Sequence, residues 1–81
     1  MTRIGKYLYQ LSASNAELFF KTGLSQSRLS ILRNDDSSKL LAEELVLISM
    51  AIEKQPSEVA VAIFSDLTIK LHRNSPLSTG A

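Results

Sequence analysis

The sequence predicts an all-α domain of five short helices, and three observations lead there. Apolar residues recur at helical spacing in successive stretches between Ile4 and Phe64. Residues that start or stop helices, namely Ser14, Gly23, Ser25 and Pro56, stand at the joints between those stretches. The chain has 81 residues, enough for one domain around a single small core and too few for an enclosed substrate cavity with a second lobe.

Ile4, Leu8 and Leu11 lie at i, i+4 and i+7, which predicts a first helix from about Arg3 to Leu11. Ser12 and Ala13 interrupt it. Ser14 and Glu17 have the spacing of a capping box, in which the serine oxygen accepts from the N3 amide and the glutamate reaches back to the cap amide. A second helix therefore starts at Asn15, carries Leu18, Phe19 and Phe20, and ends where Gly23 supplies a left-handed cap. Phe19, Phe20, Tyr7 and Tyr9 read as core or rim packing. Leu24 points back to the core, and Ser25 caps a third helix from Gln26 to about Arg33 with Leu29 and Leu32 on its inner side. Asn34 to Ser38 form a polar loop. Leu41, Leu45, Ile48 and Ile52 give the clearest amphipathic helix in the chain, and Glu43 and Glu44 fall in its first turn, where the helix dipole favours negative charge. Pro56 fits the N1 position of a fifth helix anchored by Val59, Ile63 and Phe64.

After Ser65 the period changes. Leu67, Ile69 and Leu71 alternate with Thr68, Lys70 and His72, so residues 66–72 read as a short C-terminal β-strand, with continuation of the fifth helix as the alternative. The domain is expected to span residues 1–72, and the small, polar tail 73–81 to be disordered.

Net charge is +1, but its distribution is uneven. Through Leu40 six bases (Arg3, Lys6, Lys21, Arg28, Arg33, Lys39) face three acids (Glu17, Asp35, Asp36); from Leu41 onward three bases face five acids. One basic face is expected. The absence of cysteine excludes disulfides, zinc–thiolate sites and thiol nucleophiles. His72 is the one histidine and no serine–acid pair can be tied to it, so no enzymatic activity is expected. Asp35 and Asp36 read as a solvated turn, since no further oxygen ligands follow at loop spacing, and neither a metal nor another cofactor is expected. No window approaches the roughly 20 apolar residues that span a bilayer, and the N-terminus has no signal-like apolar stretch. A cytoplasmic protein with no membrane partner is the expectation.

The run SNAELFFKTGLSQSRLSILRND, followed by KLLAEELVLISMAIEKQPSEV, resembles the five-helix DNA-binding domain of the Xre-type regulators, Cro and the lambdoid phage repressors. The resemblance covers about Ile4 to Phe64. Its most specific elements are Leu18, the Thr22-Gly23-Leu24-Ser25 turn, Gln26-Ser27, Ser30, and the stretch from Leu45 to Ile52 with its Ala51. The chain departs from the family at Phe19, where a small residue is usual, and at Arg33, where glutamate is common.

The resemblance implies a repressor-like helix-turn-helix whose second helix, residues 26–33, enters the major groove of double-stranded DNA. The chemistry agrees: polar side chains on the first turn reach base edges while Leu29 and Leu32 hold the helix from behind, and the Gln26 amide suits the edge of adenine. By resemblance Gln26, Ser27, Ser30 and Ile31 face bases, and Asn15 and Asn34 approach the DNA backbone. Arg28 and Arg33 have the reach for phosphate or guanine, and Lys39 is a further backbone candidate. The function expected is that of a dimeric transcriptional repressor. The alternative is an antitoxin or adaptor that keeps the fold and binds a protein partner, such as a toxin, through the helix-four and C-terminal surface. A homodimer is expected because one such domain contacts one half-site. Its interface is expected at Leu67, Ile69 and Leu71, paired across a two-fold axis and packed on Val59, Ile63 and Phe64, as similarity to Cro also suggests.

Overall fold

Local capping signals divide the chain into α1 (Arg3–Gln10), α2 (Asn15–Thr22), α3 (Gln26–Asn34), α4 (Ala42–Ala51) and α5 (Pro56–Ile63) in a computed structural model that describes residues 1–65. The all-α, five-helix class is as the periodicity predicts. The Ser14 hydroxyl accepts from the Glu17 N–H at 3.1 Å and that of Ser25 from the Arg28 N–H at 3.0 Å, each satisfying an amide that has no partner within its helix. Gly23 closes α2 at φ +80°, the left-handed region a side chain would strain. Pro56 occupies the start of α5, where its missing N–H costs nothing. The reciprocal half of the box expected at Glu17 is absent: its carboxylate lies 3.5 Å from Lys21 Nζ, one turn along the helix. Glu44 makes that reciprocal bond instead, accepting the Leu41 N–H at 2.9 Å at the start of α4.

The helices pack as a closed ring of pairs: α1 on α3 and α5, α2 on α3 and α4, and α4 on α5. Ile4, Leu8, Ala13, Leu18, Leu29, Leu32, Ile48, Val59 and Ile63 meet at its centre. All five helices contribute to this one core, so their orientations are set together by its packing. Two non-glycine residues, Ser12 and Glu53, take φ of +59° just past α1 and α4, where the chain turns sharply toward the next helix.

Three expectations about apolar residues are corrected here. Val59 and Ile63 anchor α5 in the core as expected, at 0% and 3% exposure, but Phe64, the third expected anchor, is the C-cap residue of that helix and is 42% exposed. Phe20 is 87% exposed and Tyr9 69%, so neither is core. Leu41, taken as the first member of the α4 stripe, is the exposed N-cap residue of that helix. Leu67, Ile69 and Leu71, the strand-or-helix question for residues 66–72, His72 and the tail 73–81 all lie outside the described residues. Among the described residues no helix is long and apolar enough to cross a membrane.

Candidate nucleic-acid interface

The outer face of α3 is set by its periodicity. At about 100° per residue, positions 26, 27, 30, 31 and 34 fall within about 140° of arc, and positions 28, 29, 32 and 33 fill the opposite side. Burial follows that division: Gln26, Ser27, Ser30, Ile31 and Asn34 are exposed, Leu29 and Leu32 are buried, and Arg28 and Arg33 are half-buried. The α3 N-terminus is therefore presented outward with two polar side chains on its first turn. Gln26 and Ser27 form no side-chain hydrogen bond among the described residues, which leaves an amide and a hydroxyl free to meet a ligand. Ile31, 45% exposed, adds an apolar contact beside them.

Ser30 and Asn34 continue the strip with bonds of their own. The Asn34 amide donates back to the Ser30 carbonyl at 3.0 Å, and the Ser30 hydroxyl accepts from Asn15 Nδ2 at 3.2 Å. Asn15 is held from its other side, its Oδ1 accepting from Arg33 Nη1 at 3.0 Å. The same Arg33 nitrogen donates to the Ala13 carbonyl at 2.7 Å. Arg33, Asn15 and Ser30 thus form one chain of hydrogen bonds that locks the start of α2 to the middle of α3.

Arg28 and Arg33, expected to face phosphates, have their guanidinium groups engaged within the domain. Arg28 forks onto the Glu44 carboxylate, Nε to Oε2 at 2.7 Å and Nη2 to Oε1 at 2.9 Å, and Nη2 also donates to the Lys39 carbonyl at 2.9 Å. The Arg28 side chain is 32% exposed and the Glu44 side chain 6%. Glu44 is buried, and a carboxylate there needs this bidentate partner to offset the water it loses. The Arg28 hydrogen bond holds the Glu44 carboxyl below its ordinary value against the opposing effect of burial, and the Leu41 N–H assists. The same bond raises the Arg28 guanidinium. Nothing in the sequence signals this pair, because Arg28 and Glu44 stand 16 residues apart with no shared period.

No family model, curated protein or solved structure matches the chain.

Lys39 is exposed beside this network, its carbonyl accepting from Arg28. The loop that follows α3 is organised by Asp35, whose carboxylate accepts from the Ser37 hydroxyl at 2.6 Å and the Ser37 N–H at 2.9 Å. These two bonds hold the Asp35 carboxyl below its ordinary value. The described residues contain no group of three or more histidines, cysteines or acids placed to hold a metal ion. Thr2 fixes the far end of α3: its hydroxyl donates to the Leu32 carbonyl at 2.6 Å and its N–H to the Arg33 carbonyl at 2.8 Å. The same hydroxyl accepts from Gly5 N–H at 2.9 Å as the N-cap of α1. A threonine just ahead of an apolar-periodic helix is the sequence signal for this cap. Together these ties seat α3 and leave Gln26, Ser27 and Ile31 uncommitted on its outward face.

Proposed function

We propose that the chain is a cytoplasmic, sequence-specific double-stranded DNA-binding regulator that acts as a dimeric repressor. In this reading α2 and α3 form a helix-turn-helix, and α3 lies in the major groove. One observation carries it. The first turn of α3 offers Gln26 and Ser27 exposed and, among the described residues, without side-chain partners, on a helix that Leu29, Leu32, Arg28, Arg33 and Thr2 hold from behind. An amide free at both its donor and its acceptor suits the major-groove edge of adenine, and the exposed Ile31 suits the methyl group of thymine. Asn34 and Lys39 flank the strip as backbone contacts, with the main-chain N–H groups at the start of α2.

Arg28 and Arg33 act in this reading as positioning residues and not as phosphate ligands. That leaves few cations close to α3, so the salt dependence should be shallow, about one logarithmic unit of slope for each phosphate neutralised. The same scarcity of cations, with the exposed apolar side chains of α4, favours a second reading as an antitoxin or adaptor that binds a protein. A gel-shift titration against random-sequence duplex pools at two salt concentrations separates the two. Recovery of a preferred sequence whose affinity falls with salt supports the regulator. No enrichment at either salt concentration supports the protein-binding module.

A further inference from the structure

Helix α4 carries apolar residues on both its sides: Ile48 is buried in the core with Leu45 and Ala51 packed beside it, and a second set faces solvent. Its buried polar residues are Glu44 and Ser49, and both are satisfied within the domain: Glu44 by Arg28 and the Leu41 N–H, and Ser49 by donating to the Leu45 carbonyl at 2.6 Å. Its solvent side carries Val46, Leu47 and Met50, which are 42%, 37% and 67% exposed. These three share one helical stripe, at i, i+1 and i+4. Solubility alone would put polar side chains there, and three exposed apolar side chains gathered on one stripe are what a contact surface requires. Leu47 and Met50 open onto a shallow hollow of about 340 Å³ whose rim also includes Lys21, from α2, and Glu53.

We propose that this stripe is the contact between two copies of the chain related by a two-fold axis. The rim charges choose the occupant. One base and one acid border the same hollow, so the patch is complementary to itself: a two-fold operation can set Lys21 of each copy against Glu53 of the other. A partner presenting charge of one sign would meet a like charge at one of these two residues. The existing tie between Lys21 and Glu17 spans 3.5 Å between side chains 43% and 52% exposed, a weak surface pair that a new partner readily replaces. The contact uses none of residues 66–72 and does not depend on the chain binding DNA. If it does bind DNA, the same axis supplies the second α3.

Sedimentation equilibrium of the full chain over a range of concentrations is the test. The wild type should show a reversible monomer–dimer equilibrium. Met50→Glu and Leu47→Lys change exposed positions, so each should keep the wild-type circular dichroism spectrum and raise the dimer dissociation constant by about tenfold or more. Lys21→Glu and Glu53→Lys should each weaken the dimer, because either leaves two like charges facing, and the double variant should recover most of the loss. The recovery answers for the interface even if an apolar variant misfolds. A monomer at every concentration, a dimer indifferent to both apolar variants, or a double charge variant weaker than either single one would overturn the proposal.

Discussion

Gly5→Ala should destabilise the domain although it places a better helix former inside a helix. The close approach of α1 to the end of α3 is the reason: a methyl group built on Gly5 overlaps the Arg33 carbonyl oxygen, lies 3.1 Å from that carbonyl carbon and stands 2.7 Å from Met1 Cγ. Met1 is exposed and can swing aside, but the Arg33 carbonyl is backbone and cannot. Alanine recovers about 0.5–1 kcal/mol of helix propensity. Overpacking against a fixed neighbour costs about 1–3 kcal/mol, and a backbone neighbour puts the cost at the upper end. A net loss of about 2 kcal/mol follows, which for a domain of this size lowers Tm by roughly 8–16 °C. Relief by sliding α1 would lengthen the two bonds from Thr2 to the Leu32 and Arg33 carbonyls, now 2.6 and 2.8 Å, so the helix cannot move without further loss. Thermal melts of wild type and Gly5→Ala followed by circular dichroism make the comparison. A variant as stable as the wild type, or more so, would refute the packing of α1 on α3.

Other perturbations probe the ties that seat α3. Glu44→Gln keeps the shape but removes the negative charge that faces the Arg28 guanidinium, and should cost about 1–3 kcal/mol in urea unfolding. The Glu44 carboxyl is held below its unfolded value, so its contribution is complete above the ordinary carboxylate range and is lost as pH falls through the folded value. Wild type should therefore lose its margin over Glu44→Gln as the buffer is acidified from neutral to below the ordinary carboxylate range, and a margin that stays constant would count against the pair. Arg33→Ala frees the Ala13 carbonyl and one end of the Asn15 amide and should lower stability by about 1–2 kcal/mol while leaving the salt slope of any DNA binding unchanged. A slope reduced by about one would restore Arg33 as a phosphate ligand. Ser12→Gly should stabilise by about 0.5–1 kcal/mol, since it removes a side chain from a left-handed backbone position, and a lower Tm would contradict the φ of +59° found there.

What the sequence made legible was local. Ser14, Gly23, Ser25 and Pro56 each act on the turn they stand in, and each closes or opens a helix where it was expected to. The exposed strip of α3 was readable for the same reason, because Leu29 and Leu32 fix which side faces inward. Long-range pairing was not readable. Arg28 has a free-looking guanidinium in the sequence and finds Glu44 only after α3 and α4 are both in place. Arg33 similarly reaches back 20 residues to the Ala13 carbonyl. In α4 the apolar residues lie on both sides, so the stripe through Leu45 and Ile48 hid a second one through Val46, Leu47 and Met50.

The central claim is that the free amide on the first turn of α3 reads a base, and competitive binding by Gln26→Ala tests it most directly. A site enriched from random duplex by the wild type is titrated with both proteins, alongside versions changed one base pair at a time, at two salt concentrations. The expected result is that Gln26→Ala loses about 1–3 kcal/mol of discrimination at one base pair in each half-site, with non-specific binding and the salt slope nearly unchanged. Identical base preferences for the two proteins, or no site enriched by the wild type at all, would contradict it.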